Sequence, residues 1–240
     1  MNTRRINSLC TDPTWAGRAD CRRCPIRSQV LFAEVSDARI DEVLVPIDNL
    51  RYAPKAVIYA VKAPGRAVYT LRRGAVKLMR TLADGTHRVV RVLTAGDVFG
   101  LEALLDRPYV HTAVALHALD ICRIPIEVVH KLNAGSSPLY PELLKRWQRN
   151  LDQADAFIAE LSTGTSQVRM ARLLLLLDGK EGLLQGSPLH REDMGQILGI
   201  STETASRIIA EFKRQGIVRE VDGLMHYTDA EALRRLAANV

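Results

Sequence analysis

The spacing of apolar positions along the 240-residue chain changes character more than once. Residues 1–30 show no clear period and hold three of the four cysteines, which marks an appended segment. From about Leu31 to Leu50, Leu, Ile and Val recur behind Ser36, a residue type that caps helix N-termini, and short helices are expected there. Between Tyr52 and Pro125 the pattern becomes short runs such as "AVYTL", "AVKLMRTL" and "HRVVRVL". Pro64-Gly65, Arg73-Gly74, Asp84-Gly85 and Ala95-Gly96-Asp97 punctuate them. Asp-Gly between two such runs supplies the left-handed residues of a hairpin turn, and strands at this spacing predict an antiparallel β-roll or sandwich.

After Pro138 the period is helical. Leu144, Trp147, Leu151, Ala154, Ile158 and Leu161 follow one another at intervals of three, four, three, four and three, the a and d seam of a coiled coil. That seam predicts a parallel dimer helix; the same pattern also suits a core-facing amphipathic helix of a monomer. The next stretch, "SQVRMARLLLLLDG", predicts another helix, ended by Gly179 or Gly182 in a left-handed conformation.

The C-terminal region, "HREDMGQILGISTETASRIIAEFKRQGIV", divides into a helix from about Arg191 to Leu198, a turn at Gly199, and a second helix reaching Gln215. Ala205, Ile208, Ile209 and Phe212 give the second helix an apolar inner face, which is the helix-turn-helix plan. Its outer face offers Thr202, Glu203, Ser206 and Arg207. Arg207 can donate twice to guanine and Glu203 can accept from cytosine, while Lys213 and Arg214 are suited to phosphates. Glu and Arg at this spacing also make an ordinary surface pair on a helical hairpin. "IVREVDGLMHYT" reads as a β-hairpin wing around Asp222-Gly223.

Composition sharpens the picture in three places. A net charge of +6 fits a polyanionic partner, although the basic residues are spread rather than gathered on the C-terminal region. No apolar run approaches the roughly 18 residues of a membrane span, so a cytoplasmic protein is expected, where structural disulfides are rare. No βαβ pattern surrounds Cys21 and Cys24, no histidine–carboxylate constellation accompanies them, and no nucleotide-binding glycine loop is present. An enzyme is therefore not expected.

A β-roll containing "GDVFGLEALL", a long helix and a helix-turn-helix containing "TETASR" resemble, in that order, the CRP/FNR superfamily of bacterial transcription regulators. Glu203, Ser206 and Arg207 match the Glu-x-x-Ser-Arg pattern of its FNR branch. The resemblance implies an α+β chain. Residues 1–30 would form a cysteine segment, 31–136 a cyclic-nucleotide-binding-like sensor, 137–163 a dimerisation helix and 164–240 a winged helix-turn-helix. It implies a homodimer on two-fold symmetric DNA with TTGAT-like half-sites, working with RNA polymerase. Where cyclic-AMP binders of the family carry Gly-Glu and Arg-Ser pairs, this chain has Gly100-Leu101 and His111-Thr112, so cyclic AMP is not the expected ligand.

FNR proteins hold an oxygen-labile [4Fe-4S] cluster on three N-terminal cysteines and one in the β-roll. The resemblance therefore implies Cys10, Cys21, Cys24 and Cys122 as cluster ligands, and oxygen, nitric oxide or redox state as the signal. Ten residues separate Cys10 from Cys21, more than the family's usual spacing. Read from the residues alone, the cysteines also suit zinc, a reversible disulfide, or, for Cys122, a small buried hydrophobe. A regulator of this fold with a thiol switch or another small-molecule ligand, and no cluster, is the alternative.

Overall fold

The computed structural model describes residues 10–27, 32, 35, 46–133, 139–178, 189–221, 224–227 and 229–238. It divides into two compact units, 1–79 with 92–151 and 80–91 with 152–240.

The strands of the N-terminal half are β1 (Thr14–Arg18), β2 (Asp48–Tyr52), β3 (Val57–Tyr59), β4 (Ala67–Arg73), β5 (Val76–Thr81), β6 (His87–Leu93), β7 (Val98–Phe99), β8 (Thr112–Ala115) and β9 (Leu119–Pro125). They form two antiparallel sheets, ordered β1-β2-β9-β4-β7 and β3-β8-β5-β6. β6 has the bounds of the run "HRVVRVL", and Gly85 in the preceding turn has φ 83°, the conformation that Asp-Gly predicts. Ala67 to Leu71 of β4 are buried on both faces of the sheet, as suits a strand with partners on either side. A cluster of Tyr59, Tyr69, Phe99 and Tyr109 fills the roll, with Tyr59 stacked on Tyr109 at 3.9 Å between ring centres. The Tyr109 hydroxyl donates to the Ala67 carbonyl at 2.8 Å, which satisfies its polar tip in the core.

Two expectations change. Asp48 to Leu50 begin strand β2 rather than end a helix, because their backbone is paired on one side by β1 and on the other by β9; Ser36 lies outside the described residues. The N-terminal segment is not merely appended, since β1 forms the edge strand of the first sheet. Its burial pattern is almost wholly exposed, so no apolar alternation could announce it.

The helices are α1 (Ile126–Asn133), α2 (Leu139–Leu161), α3 (Ser166–Asp178), α4 (Arg191–Leu198), α5 (Thr202–Arg214) and α6 (Ala230–Ala238). Gly179 and Gly182 lie outside the described residues. β10 (Val218–Val221) and β11 (Leu224–Tyr227) pair antiparallel with Val221 opposite Leu224, which leaves Asp222 and Gly223, themselves outside the described residues, to join them. No described helix is long and apolar enough to cross a membrane.

Candidate nucleic-acid interface and cysteine site

The helix-turn-helix is built by short-range chemistry. Gly199 caps α4 in the left-handed region at φ 65°, and the Ser201 hydroxyl caps α5 by accepting from the Thr204 N–H at 3.1 Å. Ala205, Ile208, Ile209 and Phe212 are all buried, as their spacing predicts. A methyl group on Gly195 would meet the Ile200 carbonyl oxygen at 2.8 Å, so α4 can pack onto the turn only through a glycine. Arg169 of α3 donates to the Leu198 carbonyl at 2.6 Å, holding the C-terminal end of α4.

Thr202, Glu203, Ser206 and Arg207 are exposed on α5. Arg207 makes no ion pair among the described residues. The Glu203 carboxyl is held below the usual carboxylate range by its own backbone N–H and by the Ser201 side chain, which gives it a capping task besides any base contact. Lys213 donates to Glu220 at 2.5 Å, Arg191 donates to the same carboxylate at 3.0 Å, and Arg214 pairs with Glu211. The two cations expected to meet phosphate are thus already partnered within the chain. A cleft of about 420 Å³ separates the outer side of α5 from the start of α3, lined in part by Thr165, Ser166, Gln167, Thr204 and Arg207. Hydroxyls and guanidinium groups line it together with the Glu211 carboxylate, which Arg214 pairs.

On α2, Leu144, Trp147, Leu151 and Ile158 are exposed at 69, 46, 52 and 63%, and Ala154 is half-buried. Four large apolar side chains on one face of a helix form an unpartnered stripe of the kind that marks an association surface. Leu161 departs from the predicted seam: it is only 3% exposed, covered by its own chain.

The loop between β7 and β8 answers the ligand question in chemical terms. The Glu102 carboxylate accepts from the Val110 N–H at 3.2 Å and lies 4.0 Å from His111 Nδ1, while the Thr112 hydroxyl accepts from the Val61 N–H. Glu102 is thus engaged with its own loop, and Thr112 with the chain beyond β3.

The four cysteines are free thiols. Cys122 of β9 stands opposite Asn49 of β2 on one side and Thr70 of β4 on the other. Its Sγ donates to Asn49 Oδ1 at 3.2 Å, and Asn49 Nδ2 donates to the Arg18 carbonyl at 3.2 Å, so one amide ties the thiol to the N-terminal segment. Burial pushes the Cys122 thiol up to about 12 and the Cys21 thiol up to about 11. The nearby Cys24 raises both, whereas Arg72 opposes the rise at both. Both sulfurs are therefore protonated at neutral pH.

Cys10 keeps other company. Burial raises the Tyr52 and Tyr69 hydroxyls, and Cys10 adds to the rise at each. Tyr69 stands opposite Arg123, the neighbour of Cys122 along β9, and strand alternation sends those side chains to the face opposite Cys122. Among the described residues no three His, Cys, Asp or Glu side chains are gathered closely enough to hold a metal ion. A cubane needs four thiolates on one centre, and the four cysteines as placed do not fit one. Asn49, Thr70, Arg72 and Gly195 carried no signal in the sequence, because their roles come from cross-strand register and close packing rather than from motif.

Comparison with known proteins agrees with this architecture. Residues 49–134 match the cyclic nucleotide-binding domain family and residues 168–236 the Crp-like helix-turn-helix domain family. The transcriptional regulatory protein btr of Bordetella pertussis is 24% identical over 204 residues, covering 82% of this chain and 84% of that protein. The fumarate and nitrate reduction regulatory protein of Yersinia pestis is 22% identical over 230 residues, covering 91% and 90%. The crystal structure of a CRP-family transcriptional regulator from Thermus thermophilus superposes with a TM-score of 0.69 at 25% identity, covering 79% of this chain and 97% of that one. A β-roll of two antiparallel sheets matched by the first family and a capped helix-turn-helix matched by the second, in the order of that family and with a long helix between them, show that the chain is a transcription regulator of the CRP/FNR family.

Proposed function

We propose that the chain is a dimeric, sequence-specific DNA-binding regulator of the FNR type whose DNA affinity is set by the chemical state of Cys21, Cys24 and Cys122. The observation that carries this reading is the hydrogen-bonded path from the Cys122 thiol through the Asn49 amide to the Arg18 carbonyl, which joins the sheet to the cysteine-bearing N-terminal segment. The Leu144 to Ile158 stripe pairs two chains, and two α5 helices enter successive major grooves of a two-fold symmetric site with TTGAT-like half-sites. Thr202, Glu203, Ser206 and Arg207 read bases, and RNA polymerase is the partner in the cytoplasm. Functionally the chain divides into a cysteine segment at 1–30, a sensor at 31–136, a dimerisation helix at 137–163 and a DNA-binding domain at 164–240.

A second reading, sensing of oxygen or nitric oxide through a [4Fe-4S] cluster on all four cysteines, is supported by similarity to fumarate and nitrate reduction regulators and by the position of Cys122. It requires all four cysteines to gather on one centre, where no three His, Cys, Asp or Glu side chains among the described residues are gathered now. One preparation separates the two. The protein is purified without oxygen, its visible absorbance, iron and acid-labile sulfide are measured, and DNA binding is followed before and after air or a thiol reagent. About four irons and four sulfides per chain, with absorbance that bleaches in air, establish the cluster. Iron-free protein whose DNA binding changes on thiol modification establishes the thiol reading. DNA binding indifferent to both treatments refutes cysteine sensing and moves the signal to a ligand of the β-roll.

A further inference from the structure

Arg172 of α3 holds three separate stretches of chain. Its Nε donates to the Ala237 carbonyl of α6 at 2.8 Å. Its Nη1 group reaches the Thr163 hydroxyl oxygen at 3.0 Å, the Thr163 carbonyl at 3.2 Å and the Glu160 carbonyl of α2 at 3.4 Å. The Glu160 carboxylate lies 4.0 Å from Nε, and the Arg172 side chain is only 13% exposed. Ala237 and Glu160 each stand in the last turn of their helix, where carbonyls have no intrahelical partner and a cation is favoured. One planar guanidinium thus serves two helix C-termini and the segment that leaves α2. Lysine would bring the same charge from a single point, whereas the bonds here leave Nε and Nη1 in different directions.

The segment between α2 and α3, residues 162–165, is fixed residue by residue. The Ser162 N–H continues the α2 ladder to the Ile158 carbonyl at 3.1 Å, and the Thr163 hydroxyl donates to the Ala159 carbonyl at 3.2 Å while it accepts from Arg172. Gly164 takes the left-handed conformation at φ 85°, and the Thr165 hydroxyl caps α3 by accepting from the Val168 N–H at 3.3 Å. This segment and the part of α2 from Asp152 onward belong to the same compact unit as the helix-turn-helix. Each residue of the connection is committed to a bond or a conformation, so the connection transmits direction rather than pivoting. We propose that Arg172 is a positioning residue for DNA recognition: it welds the DNA-binding residues to the end of α2 and so sets the spacing of the two half-sites that a dimer can hold at once. The role rests on the reading of α2 as the dimerisation helix and of the target as two-fold symmetric.

The test uses the full chain. The parent protein enriches duplexes from a random DNA pool, and the enriched site is remade as a single half-site and with its spacer lengthened or shortened by single base pairs. Dissociation constants for this set are compared between the parent, Arg172→Ala, Arg172→Lys and Thr163→Val at a temperature where each is folded. Each base pair of spacer moves one half-site along and around the duplex, so a rigid dimer prefers one spacing. Arg172→Ala is expected to weaken binding at the preferred spacing about tenfold, the worth of one hydrogen bond from a charged group, while the neighbouring spacings and the single half-site stay within about threefold of the parent. Arg172→Lys shares the loss. Thr163→Val, at an exposed position, removes one acceptor of the guanidinium and flattens the spacing preference in the same direction; it decides the matter if Arg172→Ala does not fold. A loss that falls equally on every spacing and on the single half-site marks a general effect on the fold and overturns the proposal, as does a preference that Arg172→Lys restores. An enriched site without two-fold symmetry overturns the dimer reading and the proposal with it, whereas a symmetric site whose spacing preference the variants leave unaltered overturns the proposal alone.

Discussion

Replacing Leu151 and Leu161 separately by alanine distinguishes two leucines that share one heptad pattern and differ in surroundings. Full burial of a leucine side chain is worth about 2 kcal/mol. Leu151 is 52% exposed, so about 1 kcal/mol remains to be gained when a partner covers it. Two-fold symmetry doubles this, and Leu151→Ala should weaken the dimer by about 2 kcal/mol, roughly thirtyfold in the dissociation constant. Leu161 is 3% exposed and has almost nothing left to gain at an interface. Leu161→Ala should instead cost the fold about 2 to 5 kcal/mol through the cavity it leaves. Sedimentation equilibrium over a wide concentration range gives the dimer constant, and denaturant unfolding at fixed protein concentration gives the stability. The reasoning fails if Leu151→Ala leaves the dimer constant within threefold of the parent, or if Leu161→Ala weakens the dimer without lowering stability.

Three further outcomes are expected. Gly195→Ala should destabilise the second unit by about 1 to 3 kcal/mol, despite alanine's better helix propensity, because the added methyl meets the Ile200 carbonyl; thermal unfolding reads it, and an unchanged melting temperature would contradict the packing. Glu220 is held below the usual carboxylate range, first by the hydrogen bond from Lys213 and then by the Arg191 charge against a small desolvation penalty. Its folded value is depressed, so its contribution is present above the unfolded value of 4.5 and is lost as pH falls through the folded one. In this partly exposed setting that contribution is under about 1 kcal/mol, and Glu220→Gln should flatten acid unfolding below that pH while changing little at neutrality. Arg207→Ala should relax discrimination at one base pair of each half-site by about 1 to 3 kcal/mol, as competition binding against half-site variants would show.

The parts legible in the sequence are those governed by neighbours along the chain. The inner face of α5, the Gly199 turn and the bounds of β6 follow from period and turn residues within a few positions of one another. What escaped depends on partners far away in sequence. β1 is an exposed edge strand without alternation, and β2 owes its strand conformation to pairing on both sides. Leu161 continues the heptad of Leu144 to Ile158, and only tertiary packing shows that it faces inward. The cysteines were legible as a set by resemblance. How Cys122 meets the N-terminal segment follows from cross-strand register, which spacing along the chain does not encode.

The position of β1 has a consequence for the chain's solubility. β1 is five residues long and its register with β2 breaks between Trp15 and Arg18, features that make a poor template for another strand. β2 beneath it is regular, pairing residue by residue with β9 from Asp48 to Tyr52. A signal that stripped residues 14–18 from the sheet would uncover a straight, fully formed edge able to recruit the same edge of another molecule. In the proposed cysteine switch the N-terminal segment would therefore rearrange with β1 left in place, because complete release would open that edge to self-association.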